Sequence, residues 1–265
     1  MTTSVRVSVG GATLAVQVRG DGPPLLLVHG FPLDQSMWSH QLVAFSGWRR
    51  IAPDLRGAGA SEAPPGEYSM ARYADDLVMV LDAVGAKSAV CCGLSMGGYV
   101  LFELMRRHPE RVRALILCDT KADADTPQGK QGRDELAALA EREGMAPVGE
   151  RLLPKLLGRT TQARDQALVE TVRAMVLRSP VTGVAGALRA MRDRPDSTAL
   201  LGEIRVPTLV VGGAEDELTP PSVMQPMAQG IRGARYVEVP TAGHLCPLEQ
   251  PDAVNEAVRD FLKGV

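Results

Sequence analysis

Short apolar runs separated by polar turns recur along most of the chain. Near the start, residues 5–9 and 14–18 alternate apolar and polar positions around Gly10-Gly11, a pattern that predicts an antiparallel hairpin. Most of the later runs are unbroken, as strands buried on both faces of a sheet require. With the hairpin they predict eight strands, the last six near residues 24–28, 49–54, 89–94, 114–118, 206–213 and 234–239.

Helical patterns lie between these runs. The clearest helix is predicted over residues 70–84, where Ser69 can cap its start and Gly85 can end it. Others are predicted over residues 38–45, 96–108 and 251–262, and from about residue 221. Strands and helices that alternate with short links predict an α/β fold, with a mostly parallel eight-stranded sheet and helices on both faces.

The alternation stops between residues 121 and 196. This span has no strand pattern, and its candidate helices cover residues 133–143, 149–157, 161–177 and 180–191. We expect residues 121–196 to form a helical cap over the ligand-binding edge of the sheet, inserted into a core domain of residues 1–120 and 197–265. The alternative is that these helices only pad one face of the sheet.

Composition narrows the class of partner. The 265 residues are 45% hydrophobic and 23% charged, with a net charge of −2, so the chain has no basic surface suited to nucleic acid. No apolar run approaches the ~20 residues of a membrane span. Residues 1–6 lack the apolar core of a secretory signal, so we expect a cytoplasmic protein with neither a nucleic-acid nor a membrane partner. The four cysteines match no metal spacing, which favours reduced, mostly buried thiols and no metal.

The stretch most suggestive of chemistry is Gly93-Leu94-Ser95-Met96-Gly97. It joins a predicted buried strand to a predicted helix, so Ser95 falls at a sharp turn where a Cβ at position 93 or 97 would collide with a neighbouring element. Such a turn lifts the serine clear of the sheet and places it at a helix N-terminus, where free N–H groups favour developing negative charge. Ser95 is therefore the candidate nucleophile.

A second loop suited to an oxyanion is His29-Gly30-Phe31-Pro32, which follows the strand at residues 24–28. Loops at the C-terminal edge of a parallel sheet are where ligands bind in such folds. We expect the backbone N–H groups of Phe31 and Met96 to act as paired oxyanion donors. His29 is expected to hold this loop in place by hydrogen bonding.

Several acidic residues could orient a catalytic histidine. Asp216 is the preferred candidate, because it stands in the middle of the turn after a buried strand and shortly before a predicted helix. Its neighbours Glu215 and Glu217 are alternatives that also make sense as solvated loop charges. Asp119, at the end of the preceding strand, is another contender and is expected instead to support the hinge of the cap.

Among the four histidines, His244 is the best candidate for the general base. It follows the last predicted strand, behind a glycine that frees the loop to turn its ring toward the active edge. His40 lies on an exposed-looking helix and His108 ends a helix beside a proline. The chain order of serine, acid and histidine is also the order in which a strand–turn–helix nucleophile receives its partners.

Taken together, these motifs resemble the α/β-hydrolase family over essentially the whole chain. They comprise residues 29–32, the glycine-punctuated loop 54–61, the elbow 93–97, Gly213-Ala214-Glu215-Asp216 and Gly243-His244. Residues 93–99, 106–112 and 119–121 are similar to the subgroup of small bacterial carboxylesterases and 3-oxoadipate enol-lactonases. The resemblance implies the α/β-hydrolase fold with a helical cap and a triad of Ser95, Asp216 and His244.

The resemblance also implies a reaction. His244 would take the proton of Ser95 as it attacks an ester carbonyl, Asp216 would fix the imidazole tautomer, and an acyl-enzyme would then be hydrolysed, with no cofactor or metal. We expect a carboxylesterase acting on small to medium acyl esters. The alternative is a lactonase for an anionic ring, which would need a cation such as Arg133 or Lys130. A ligand-binding protein with this fold and no efficient turnover is a third reading.

Overall fold

The fold is built on one sheet of eight strands, described here for residues 2–265 in a computed structural model. The strand order is β1-β2-β4-β3-β5-β6-β7-β8. Their bounds are β1 (Thr2–Val9), β2 (Ala12–Arg19), β3 (Pro24–Val28), β4 (Arg49–Pro53), β5 (Ala89–Leu94), β6 (Val112–Cys118), β7 (Thr208–Gly213) and β8 (Arg235–Val239).

Pairing along the sheet is parallel from β4 to β8, and β2 pairs antiparallel with both β1 and β4. The predicted hairpin around Gly10-Gly11 is confirmed as β1 and β2. Strand β5 is fully buried because strands pair with it on both sides and helices cover its faces. The predicted mostly parallel eight-stranded α/β sheet is therefore confirmed.

Twelve α-helices are described between and after the strands. They are α1 (Ser39–Ala44), α2 (Met70–Ala83), α3 (Met96–Arg107), α4 (Pro127–Glu143), α5 (Met145–Leu156), α6 (Arg159–Arg164), α7 (Gln166–Leu177), α8 (Val181–Arg192), α9 (Thr198–Leu201), α10 (Pro221–Gly230), α11 (Cys246–Glu249) and α12 (Pro251–Leu262). Helix α2 packs on α3, whereas α1 packs on α11 and α12, so two separate groups of helices cover the sheet.

The span between β6 and β7 is helical, and its helices α4 to α8 pack chiefly on one another. We refer to residues 121–196 as the inserted segment. The prediction of a single helix over residues 161–177 is wrong, because α6 and α7 are separate helices. Asp165 interrupts the helix: its side chain accepts a hydrogen bond from the N–H of Leu168 at 2.9 Å and caps the start of α7.

A buried ion pair fixes the loop after β4 to α2. Arg56 donates from Nε and Nη2 to Asp76 at 2.9 and 2.8 Å, and both side chains are almost fully buried. The two parallel hydrogen bonds give the pair a bidentate geometry that offsets the cost of removing both charges from water. Residues 55–58 of this loop line a small internal cavity, so the pair also fixes one wall of that cavity.

We expect Asp76→Asn to lower the free energy of unfolding by about 3–5 kcal/mol, because it leaves a buried guanidinium without a counter-charge. The adjacent Asp75→Asn is the matched control. Asp75 and its partner Arg107 are 39% and 42% exposed, so Asp75→Asn should lower the free energy of unfolding by less than about 1 kcal/mol. Denaturant unfolding followed by circular dichroism measures both variants, and equal losses would contradict this assignment.

Candidate active site

Ser95 lies at a strained turn between β5 and α3. Its φ of 53° is in the left-handed region, which a serine adopts only when its surroundings impose it. A Cβ on Gly97 would lie 2.3 Å from the carbonyl oxygen of Val28, and one on Gly93 would lie 2.7 Å from the carbonyl carbon of Gly97. The collisions expected from the sequence at positions 93 and 97 are therefore present.

Thr120 also holds this turn, and sequence reasoning gave it no role. Its hydroxyl donates to the carbonyl of Ser95 at 2.8 Å, while the N–H of Ser95 donates to the carbonyl of Cys118 at 2.9 Å. A Cβ on Gly98, the residue after Gly97, would come within 2.4 Å of the Thr120 hydroxyl, so position 98 also requires a glycine. The end of β6 thus fixes the backbone of Ser95 from the side.

The structure brings Ser95, Asp216 and His244 together although they come from three different loops. His244 Nε2 lies 2.8 Å from Ser95 Oγ, and His244 Nδ1 lies 2.8 Å from Asp216 Oδ2. All three residues are buried. With Nδ1 donating to the carboxylate, Nε2 is left as an acceptor for the serine hydroxyl, which is the tautomer a general base requires.

Asp216 has the hydrogen bonds of a stabilised carboxylate. Besides His244, it accepts from the N–H groups of Leu218 and Thr219 at 2.8 and 3.1 Å and from the Thr219 hydroxyl at 2.6 Å. Burial alone would raise the pKa of Asp216. Electrostatic attraction to the His244 imidazole and the hydrogen bonds from His244 and Thr219 outweigh burial and lower the pKa below its ordinary value. The group is therefore ionised when His244 must carry a proton.

His29 fixes the loop of residues 29–34, which we call the oxyanion loop after the role expected of it. Its Nε2 accepts from the N–H of Leu55 at 2.9 Å, and its Nδ1 lies 2.9 Å from the carbonyl of Gly30, so Nδ1 carries the proton. Among residues 2–265, neither Phe31 nor Met96 donates its backbone N–H to another protein group. Both residues line the same small cavity, so two free donors border one space.

Asp119 joins two neighbouring strands of the sheet, and its expected role at the hinge of the inserted segment stays a prediction. Its N–H donates to the carbonyl of Val211 at 3.0 Å and its Oδ1 accepts from the N–H of Gly213 at 2.8 Å, so it ties the end of β6 to the end of β7. Burial, reinforced by the nearby charge of Asp216, raises the pKa of Asp119 well above its usual value. The structure places it beside the triad and away from the imidazole nitrogens.

The two glutamates that flank Asp216 differ. Glu217 is exposed, as a solvated loop charge should be. Glu215 is only partly exposed, because its carboxylate accepts hydrogen bonds from the N–H and the hydroxyl of Thr160 at 2.8 and 2.6 Å. Thr160 lies in the inserted segment, 55 positions away, and no local pattern could have indicated this contact.

The remaining histidines and the cysteine thiols make no hydrogen bond to the side chains of Ser95, Asp216 or His244 within residues 2–265. His40 is exposed, and His108 Nε2 lies 2.8 Å from Asp75 Oδ1. All four cysteines are free and buried, and burial raises the pKa of the Cys91 and Cys246 thiols. Within residues 2–265, no cluster of three or more His, Cys, Asp or Glu side chains is arranged to hold a metal ion, and no helix combines the length and apolar character needed to cross a membrane.

The inserted segment contacts the oxyanion loop directly. Ser179 Oγ donates to the carbonyl of Pro32 at 2.8 Å, one residue beyond Phe31. Arg178 forms an ion pair with Asp34 at 2.6 Å and also donates to the Ser36 hydroxyl at 2.8 Å. The loop that carries one of the two free donors is therefore held from both the core and the inserted segment.

The cavity at these donors is small and mostly apolar. It measures ≈ 20 Å³ and is bounded by the oxyanion loop, Met96, Tyr73 and residues of α8. Its one charged lining residue is Arg56, whose guanidinium is already paired with Asp76. Arg133 is paired with Asp125 at 3.0 Å and Lys130 is exposed on α4, and neither lines this cavity.

Comparisons with known proteins identify the family of this fold. A family profile described as the alpha/beta hydrolase fold matches residues 23–251. A thermophilic esterase from Thermogutta terrifontis superposes with a TM-score of 0.95 at 40% identity, over 100% of this chain and 98% of its own. The enol-lactonase from Burkholderia xenovorans LB400 has a TM-score of 0.91 at 31% identity, over 98% and 100%.

Among curated relatives, 3-oxoadipate enol-lactonase 2 from Acinetobacter baylyi is 29% identical over 246 residues, which cover 92% of this chain and 90% of that protein. These matches confirm the resemblance inferred from the loop 29–32, the elbow 93–97 and the Gly243-His244 pair, and they span nearly the entire chain. The chain therefore belongs to the α/β-hydrolase family.

Proposed function

We propose that this protein is a serine hydrolase of carboxylic esters, acting on neutral substrates with small to medium acyl groups through an acyl-enzyme. The observation that carries the proposal is the imidazole of His244, which contacts Ser95 Oγ with one nitrogen and Asp216 with the other, each at 2.8 Å. A hydroxyl next to an oriented neutral base is the arrangement that activates a serine as a nucleophile.

In the proposed mechanism, Ser95 Oγ attacks the ester carbonyl while His244 Nε2 takes its proton. The N–H groups of Phe31 and Met96 donate to the oxyanion, and each such donor is worth roughly 3 kcal/mol in the transition state. His244 then gives its proton to the leaving alkoxide, and the acyl-enzyme remains. Water deprotonated by His244 attacks the acyl carbon and releases the acid and free Ser95.

The charge around the cavity supports a neutral substrate. An anionic lactone would need a cation to bind its free carboxylate, and the one charged residue that lines the cavity, Arg56, is already paired with Asp76. The mostly apolar lining of the cavity beside Met96 supports an uncharged, apolar acyl group. We further propose that the inserted segment acts as the cap that selects the substrate.

A lactonase is the second candidate, and the similarity to two enol-lactonases favours it. Lactones are internal esters, so the same triad and oxyanion donors would serve both reactions. The difference would lie in the recognition of the ring and its substituents by the inserted segment. The two candidates therefore share their catalytic residues and differ in substrate binding.

Ser95→Ala should reduce turnover of p-nitrophenyl butyrate by at least ~1,000-fold, because it removes the nucleophile and leaves the binding surfaces in place. Steady-state assays of the wild type and the variant measure this. Undiminished hydrolysis by the variant would remove Ser95 from the mechanism. A wild type that hydrolyses neither esters nor lactones would favour a ligand-binding protein instead.

Asp216→Asn should lower kcat by about 10³- to 10⁴-fold. The amide nitrogen would donate to His244 Nδ1, so Nε2 would carry the proton and could not accept the one from Ser95. Asp119→Asn is the matched control. Because burial favours the neutral acid at Asp119, the isosteric amide should leave kcat within about 3-fold of the wild type. Loss of activity in Asp119→Asn but not in Asp216→Asn would reverse the assignment of the acid.

Comparing two substrates separates the esterase from the lactonase. We expect kcat/KM for p-nitrophenyl butyrate to exceed that for an anionic enol-lactone by at least about 10-fold, since an unpaired carboxylate in an apolar cavity is costly. Parallel initial-rate assays of both substrates provide the measurement. A preference for the lactone would identify the protein as a lactonase and would require an arginine or lysine to reach the ring.

A further inference from the structure

Glu249 is a largely buried carboxylate that the proposed mechanism leaves unused. It ends the short helix α11, five residues after His244. Its Oε1 accepts from the N–H groups of Gly243 and Leu245 at 2.9 and 3.1 Å, which are the two residues on either side of the histidine. Those contacts fix the backbone before and after His244, and hence the direction in which its ring points.

The other oxygen of Glu249 binds the inserted segment. Oε2 accepts from the N–H of Gly158 at 2.8 Å and from the hydroxyl of Thr161 at 2.6 Å. Burial raises the pKa of Glu249, and these four hydrogen bonds oppose that effect. All four partners donate, an arrangement that suits a carboxylate and that an amide could satisfy with only one of its two heteroatoms.

Backbone packing makes the same connection. The histidine loop lies between the end of β7 and the inserted segment. A Cβ on Gly243 would come within 2.1 Å of the nitrogen of Gly158, and one on Gly213 would come within 2.1 Å of the carbonyl oxygen of Gly243. Three glycines thus allow three backbones to touch, and the loop has little room to move toward or away from Ser95.

The acid loop is attached to the same place. Glu215, next to Asp216, accepts from the N–H and the hydroxyl of Thr160, and its own N–H donates to the carbonyl of Ala242 at 2.8 Å. Residues 158–161 therefore bind a carboxylate from the acid loop and a carboxylate beside the histidine loop. Both loops that carry partners of Ser95 are connected through this four-residue stretch.

We propose that Glu249 is a positioning residue for His244: by binding the two flanking N–H groups and anchoring them to Gly158 and Thr161, it holds the imidazole at hydrogen-bond distance from Ser95. This inference rests on the proposed ester hydrolysis. It assigns no contact with substrate to Glu249. Its effect should therefore appear in kcat and disappear when His244 is absent.

The test is Glu249→Gln, measured with p-nitrophenyl acetate. We expect kcat to fall by about 10- to 100-fold with KM within about 2-fold, because a small displacement of a catalytic group costs up to about two orders of magnitude in rate. In the His244→Ala background the same substitution should change the residual rate by less than about 2-fold. Glu256→Gln makes the same chemical change at an exposed site on α12 and should leave kcat unchanged.

Two results would overturn the proposal. One is an unchanged kcat in Glu249→Gln, and the other is an equal fall in both backgrounds, which would mean that Glu249 acts on the fold and not through His244. If Glu249→Gln does not fold, Thr161→Val decides: it removes one of the four donors and should lower kcat by about 3- to 10-fold with KM unchanged. An unchanged kcat in that variant would also refute the proposal. Absence of ester hydrolysis by the wild type would instead refute the proposed function, so the two failures are distinguishable.

Discussion

The parallel register of β5 to β8 is the constraint on which the rest of the site depends. Leu94 pairs with Cys118, Cys118 with Val211, and Gly213 with Val239, so the strands end in a row and their loops emerge at one edge. One residue of strand spans about 3.3 Å, which exceeds the 2.8 Å that separates His244 from each of its partners. A slip of one residue in any of these pairings would therefore separate the serine, the acid and the imidazole.

Much of this arrangement was predictable because it has a local cause in the sequence. Alternating and unbroken apolar runs predict the strands, and the glycines at positions 93 and 97 have to be small because Val28 and the following helix approach so closely. The placement of Asp216 and His244 follows from their position in the loops after β7 and β8, at the edge of the sheet where the loop of Ser95 also emerges. In these cases the chain order of strands and turns is enough to predict the position.

The residues that sequence reasoning missed have partners far away along the chain. Glu215 and Glu249 contact the inserted segment at separations of 55 and 91 positions, and nothing near them distinguishes them from solvated acids. The partners of Asp119 on the neighbouring strand β7, Val211 and Gly213, are 92 and 94 positions away and were not foreseen either. The sequence did not predict the break between α6 and α7. An aspartate such as Asp165 occurs both on the surface of a continuous helix and as the cap of a new one, and only the packing of the two helices shows which applies here.

Asp216 and Asp119 are two carboxyl groups close to each other in the site, and they differ in the hydrogen bonds donated to them. Asp216 has His244 and Thr219 as donors and keeps a lowered pKa, whereas Asp119 is fully buried, has one oxygen without a partner and has a raised pKa. Burial and the nearby charge of Asp216 both act against ionisation of Asp119. Asp216 thus faces the imidazole as a carboxylate stabilised by its donors, while Asp119 joins β6 to β7.

The inserted segment has to satisfy opposite requirements. It touches the histidine loop through residues 158–161, the oxyanion loop through Arg178 and Ser179, and the loop after β4 through Gly183, where a Cβ would lie 1.8 Å from the carbonyl oxygen of Gly57. Ser179 and helix α8 line the small cavity beside Met96, so a movement of this segment would change the space that is open to a substrate. Residues 158–161 bind Glu249 beside the histidine loop, and residues 178–179 bind the loop that carries Phe31, so an opening that keeps both sets of contacts has to leave residues 158–179 in place.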